Sequence, residues 1–388
     1  MSRFRAIALP LVLLAVLVPS AAASPPRIGD GPGTGATGFG AQCANKPTNA
    51  TKARCYVKLI LEDLNSSNPA NEVPALEARI RAAGGWIAGA CHPLMHQVGR
   101  TYAKQHHVTL GTLQRYLPRS NSPGCSAGFG HGLMMALGPQ IMSAGPKAAL
   151  RTCMRLGTRM RQYSCVHGLG HAYMRLFDDY LRYALPYCKK LGAAAAPDCA
   201  QGAFHDYWIA SSGRDATTHR GKVTSPRVLC GARTGDFVLA CWYRVYVERP
   251  PKHDVTKAAD FNALCAGLEN LQRQGCIAAA ALSAASSNPF KVVRLCTSLR
   301  TADIAACLRA VPVEDVGSSW RTQIALIRTC AHIDAGARRA CYRWFGRTLN
   351  VITNGGFSPR CSMLASVSGR NDCRVGARQY RRALVTFA

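Results

Sequence analysis

Acidic residues are scarce in this chain, with 20 aspartates and glutamates against 48 lysines and arginines, for a formal charge of +28 over 388 residues. The shortage is sharpest between Gly85 and Ser212, where Asp178, Asp179, Asp198 and Asp206 are the only acids. So few carboxylates disfavour the oxygen-rich cages that calcium and magnesium require. Several catalytic signatures are missing too. No Gly-x-Ser-x-Gly elbow marks a serine nucleophile, and Gly168-Leu169-Gly170 fills the gap between His167 and His171 where a zinc protease would carry its glutamate. The lack of Cys-x-x-Cys-His excludes covalent c-type haem. Beyond the first 18 residues no apolar run is long enough to cross a bilayer, so no transmembrane segment is expected. Nor do the basic residues gather into a nucleic-acid-reading module, which makes nucleic acid a poor candidate partner. The surplus charge instead favours an anionic cell-surface polymer or lipid.

What is present begins with Arg3 and Arg5, an apolar run from Ile7 to Val18, and Ala21-Ala22-Ala23. Residues 1–23 therefore read as a signal peptide, and the chain is expected to be exported, whether secreted, periplasmic or cell-wall associated. Residues 24–42, rich in glycine and proline, read as a flexible linker.

Cysteine is the most informative residue type. Export puts the 18 cysteines where disulfides persist. Taken in order they fall into Cys43-Cys55, Cys153-Cys165, Cys188-Cys199, Cys230-Cys241, Cys265-Cys276, Cys296-Cys307, Cys330-Cys341 and Cys361-Cys373, each pair 11 or 12 residues apart. Cys91-Cys125 remains by elimination. From Cys153 onward the pairs recur every 31 to 42 residues, the length of a helical-hairpin repeat. Three positions after the first cysteine stand Leu156, Leu191, Leu268, Leu299, Ile333 and Leu364, with Arg233 the exception, which suggests one shared core position per repeat. Turn formers fill the space between the two cysteines. The expected fold is all-α, with tandem disulfide-stapled α-hairpins stacked as a solenoid, the first helix ending just past its cysteine and the second opening with its own.

In repeat length and stapling this resembles Sel1-like and tetratricopeptide repeat proteins, in outline only, and the resemblance implies stacked hairpins but no particular activity. The expected organisation is a stapled cap at 43–72, a histidine-bearing segment at 73–212 with the candidate site, and scaffold repeats at 213–388.

Histidine is concentrated in that middle segment. Cys125, Cys165 and Cys199 each open the frame Cys-x-x-Gly-x-x-His, which places His131, His171 and His205 at one position of three successive second helices. His167 lies four residues before His171, and His92 four before His96, spacings that put each pair on one helical face within reach of a single ion. Pro93 suggests a helix start, which would leave His92 at the cap. Gly128, Gly168 and Gly202, one turn before the aligned histidines, are costly inside helices and call for close packing or room for a ligand. After Cys241 the aligned residues become Val247, Leu282, Val313, Arg347 and Gln379, so the histidine is not a requirement of the repeat.

The metal-ligand candidates are therefore His92, His96, His131, His167, His171 and His205, and imidazole without carboxylate or free thiolate suits zinc or copper. Asp206 is the one catalytic candidate, as a general base or as the partner orienting an imidazole. Tyr173 and Tyr207, two residues past aligned histidines, are read as aromatic core, and His106, His107, His219, His253 and His332 as surface residues. The expected function is a histidine-lined metal site in an exported helical repeat protein. The alternative is a basic solenoid that binds an anionic cell-surface partner without catalysis.

Overall fold

The computed structural model describes residues 39–64, 68–120, 124–211, 226–248, 255–285, 289–308, 327–352, 356 and 358–379, and over these it is all-helical, without a strand. The segment read as a signal peptide, nearly all of the linker, His219 and His253 lie outside the described residues.

Eleven helices make up the main row among the described residues: α1 (Asn49–Leu64), α2 (Pro69–Ala83), α3 (Gly85–Gln105), α4 (Cys125–Ala136), α5 (Arg159–Leu176), α6 (Ala196–Ser211), α7 (Asp236–Glu248), α8 (Asn270–Ala285), α9 (Thr301–Leu308), α10 (Ala335–Ile352) and α11 (Val367–Gln379). Their packing follows chain order. α1 lies on α3, α3 on α4, and from there each helix packs on the next, through to α10 on α11, while α2 covers α3 and α4. Shorter helices such as Pro146–Met154, Leu181–Lys189 and Pro289–Thr297 carry the first cysteine of each pair.

Nine disulfides join the cysteine pairs named above, with Cα separations between 5.3 Å for Cys91–Cys125 and 5.8 Å for Cys265–Cys276. Closing a loop of about a dozen residues is worth about 3 kcal/mol in the chain-entropy account. The turn inside five of the staples is tied a second way. Leu156, Leu191, Leu299, Ile333 and Leu364 are buried. In three of these turns a long side chain from the next helix also holds the carbonyl: Gln162 donates to Leu156 O at 2.8 Å, Arg338 to Ile333 O at 2.9 Å and Arg370 to Leu364 O at 2.7 Å. Part of the basic surplus thus serves as turn caps.

Two expectations need correction. Cys125 opens α4 as expected, but in the tandem pairs the second cysteine does not open its helix: Cys165 is the seventh residue of α5 and Cys199 the fourth of α6. For α5 the reason is the cap, since the Thr158 side chain accepts from Arg161 N, so that helix begins before the staple. Pro93 does not start a helix either. It sits inside α3, which begins at Gly85 after Gly84, whose φ of 64° few other residues adopt. The proline leaves the Gly89 carbonyl without its helical donor. Burial of Ile87, Leu94, Met95, Val98 and Tyr102 along the same helix outweighs that loss. His92 is consequently an interior helical residue, one turn before His96.

Glycines decide how near neighbouring helices come. A Cβ added at Gly99 would overlap Phe129 O, at Gly128 it would overlap His92 O, and at Gly132 it would overlap His96 O, so α3 and α4 touch backbone to backbone. Gly170 and Gly202 do the same for α5 and α6, meeting Cys199 O and His167 O. Between α4 and α5 the space facing Gly168 is taken by the Met134 side chain.

Gly202→Ala should accordingly destabilise the protein by about 1–3 kcal/mol, because α6 must move off α5. Gly157→Ala, with open space around it, should stay within about 0.5 kcal/mol. Denaturant melts of the two variants check this, and equal midpoints would refute it.

Candidate metal centre

Five successive helices converge on one point of the row. α3 contributes His92 and His96, α4 His131, α5 His167 and His171, α6 His205 with Asp206, and α7 Glu248. The start of α4 is pinned by Glu77 of α2, whose buried carboxylate accepts from Ser126 N at 2.9 Å and from the Ser126 hydroxyl. The glycine contacts bear on the carbonyls of His92, His96 and His167 themselves, so the close approach is made at the histidine-bearing turns.

All six framed histidines are brought together. Ring centroids are separated by 4.7 Å for His96–His171, 4.8 Å for His92–His96 and for His131–His167, 4.9 Å for His167–His171, 5.1 Å for His171–His205 and 5.5 Å for His92–His205. His92 is half-buried, while the other five and Asp206 are buried.

Hydrogen bonds orient several of the rings. His92 Nδ1 lies 2.8 Å from Gly124 O, a carbonyl that can only accept, so the proton is on Nδ1 and the Nε2 lone pair faces inward. His96 Nε2 is 3.1 Å from His92 Nε2 and 3.3 Å from His131 Nδ1, and His131 Nε2 is 3.1 Å from the Ser164 hydroxyl. Asp206 Oδ1 lies 2.9 Å from His171 Nδ1, while His171 Nε2 is buried without a hydrogen-bond partner. Glu248 Oε1 is 3.0 Å from His205 Nε2. His167 Nδ1, His205 Nδ1 and Asp206 Oδ2 are buried without a hydrogen-bond partner.

Burial dominates the electrostatics. It pushes His92 down to about 3 and His205 to about 4 from the ordinary 6.5, the Glu248 carboxylate working in the opposite direction on His205. His96, His131 and His167 are also driven well below 6.5, first by burial and then by electrostatic interaction with neighbouring groups, led by His171 for the first two and by Arg244 for His167. These imidazoles are neutral at neutral pH and keep their lone pairs. For Asp206 burial acts upward, yet His171 and Arg175 hold its carboxyl below the ordinary value, so it is charged.

Three overlapping sets place ligand atoms within 4.8 Å of one another and could hold a metal ion: His92 with His96 and His131, His131 with His167 and His171, and His96 with His171 and Asp206. The free-thiol alternative is closed, since every cysteine is bridged.

Residues that sequence reasoning passed over complete the site. Glu248 lies beyond the segment assigned to it, yet it stands seven residues after Cys241 just as Asp206 stands seven after Cys199, and extending the frame by one position would have found it. Ser164 and Tyr163, whose ring is 5.7 Å from His167, precede Cys165 and carry no repeat signature. Tyr173 packs on Tyr187 and Tyr207 on Trp208, in the aromatic core. His107 and His332 are exposed, whereas His106 is not simply a surface residue, being half-buried and stacked on Tyr102 at 4.0 Å because it caps the end of α3.

Compared with protein-family models, with curated proteins and with solved structures, the chain shows no match.

Five histidines held below their unfolded value make the metal-free protein acid-sensitive. Above about pH 6.5 neither state is protonated at these rings and nothing is lost. Below it the unfolded chain takes up protons that the folded chain refuses, down to the folded values near 3 and 4. With chelator present, stability should therefore fall between pH 6.5 and 4.5 with a slope of several protons, on the order of 1.4 kcal/mol per pH unit for each histidine. Urea melts across that range measure the slope, and a value below one proton would contradict the burial argument.

Proposed function

We propose that this is an exported, disulfide-stapled helical solenoid whose role is to hold zinc or copper in the histidine cluster of its N-terminal half. The observation that carries the reading is the concentration of unpartnered buried polar atoms at one place: His167 Nδ1, His171 Nε2, His205 Nδ1 and Asp206 Oδ2. Buried polar groups are ordinarily hydrogen-bonded, and leaving one unsatisfied costs about 1–3 kcal/mol. A cation shared among these atoms removes that cost.

Donor chemistry points to the metal. Neutral imidazoles predominate, thiolate is absent, and the two carboxylates lie beside His171 and His205, as partners that orient metal-bound histidines do. Asp206 then acts through His171 rather than as an independent base. Nine disulfides suggest an oxidising, exported environment, and no described helix is long and apolar enough to cross a membrane. The chain-order packing of α3 to α11 supports a solenoid in which the stapled hairpins are the repeating unit.

Untagged protein recovered from the exported fraction should contain zinc or copper at about one equivalent or more by elemental analysis. Chelation should lower its melting temperature, and zinc or copper at about 100 times the Kd should restore roughly 2.7 kcal/mol, with magnesium and calcium inert. Protein carrying no metal and unmoved by either ion would end the proposal.

A further inference from the structure

Six imidazoles and two carboxylates are more donors than one four-coordinate ion can use. Their distribution shows how they divide. Ligand atoms converge in three overlapping sets, one of His92, His96 and His131, one of His131, His167 and His171, and one of His96, His171 and Asp206, with His205 beside them. His96 Nε2 is 3.1 Å from His92 Nε2 and 3.3 Å from His131 Nδ1, which matches the edge of about 3.3 Å expected between two nitrogens bound to one tetrahedral ion at 2.0–2.1 Å. Hydrogen bonding accounts for this trio poorly. His92 has its proton on Nδ1, so a single proton on His96 Nε2 would have to serve two acceptors.

Once that trio is assigned, His167 and His171 remain, whose ligand atoms also converge with His131, and His205 lies next to them with its ring 5.1 Å from His171 and 5.8 Å from His167, beside Asp206 and Glu248. The orphaned nitrogens lie in this second half of the cluster. Asp206 belongs to a set with both His96 and His171, one histidine from each half, so its carboxylate stands between them. Glu248 is at 3.0 Å from His205 and orients that ring from α7.

Resting on the metal-binding reading above, we infer that the cluster holds a pair of ions. His92, His96 and His131 bind the first, His167, His171 and His205 the second, with Asp206 between them, in the manner of sites that keep two metals about 3.5–4 Å apart. A cavity of about 20 Å³, room for one water, is lined by Ser120, Ser126, Arg161 and Ser164, and the Ser164 hydroxyl is 3.1 Å from His131 Nε2.

The test loads the untagged, full-length, disulfide-intact protein with copper(II) after chelation, then removes unbound ion by gel filtration. The expected result is two equivalents of copper with less than about half the electron paramagnetic resonance intensity of two isolated ions, because neighbouring spins couple. His92→Asn with His96→Asn, and separately His167→Asn with His171→Asn, should each halve the bound copper and restore the full signal of the remaining ion, with circular dichroism unchanged. His332→Asn, remote from the cluster, should leave the count at two. One equivalent in the unmodified protein would overturn the pair while leaving metal binding intact. Zero equivalents would end both readings. Two equivalents with full signal intensity would place the ions apart and overturn the pair. The unmodified protein's count and spin intensity decide the matter even where a variant fails to fold.

Discussion

Backbone contact between helices is the constraint on which the cluster depends. Imidazole is a short side chain, and rings from several helices can share one space only if the helices carrying them nearly touch. At α3–α4 and α5–α6 a glycine on one helix faces a carbonyl of the other, and in three of these contacts the carbonyl belongs to His92, His96 or His167. The helical penalty of those glycines, about 1 kcal/mol each, is offset by the contacts that close approach permits. Disulfides add to this by limiting how far each hairpin can open.

Burial and charge reinforce one another within that frame. A basic protein that packs histidines together could not keep them all protonated, and desolvation resolves the conflict by removing the protons from His92, His96, His131, His167 and His205. What results is a nest of lone pairs among helices whose other buried residues, such as Phe129, Leu133 and Leu169, are apolar, with two negative side chains at its edge. Such an arrangement is poorly satisfied by protons and well satisfied by cations, which is the physical basis of the functional reading.

Much of this was legible in the order of residues, and the parts that were not have identifiable causes. Regular cysteine spacing led to eight of the nine pairs that the structure joins, because a staple across a short turn leaves a fixed interval in sequence, and elimination left the ninth, Cys91–Cys125. The histidine frame, together with the four-residue spacings of His92 with His96 and His167 with His171, singled out the six rings that meet. Pro93 misled, since a local preference for helix starts was overridden by an apolar face that begins at Ile87 and is visible only when α3 is packed. Glu248 escaped because it lies a whole repeat beyond the last aligned histidine, and a contact between α6 and α7 has no local signature. The glycines were noticed, but packing and ligand space were equally good explanations until the carbonyls opposite them were in view.

At the far end of the row α10 and α11 repeat the same intimate contact: a methyl group at Gly346 would strike Cys373 O, and one at Gly376 would strike Arg343 O. Yet the residues in the histidine register there are Arg347 and Gln379. Helix proximity and coordinating chemistry are therefore separable in this architecture. The backbone supplies a standard socket, and the side chain inserted at one register position determines whether that socket is inert or furnished with donors, so the terminal socket is a natural place in which to write a new centre by substitution alone.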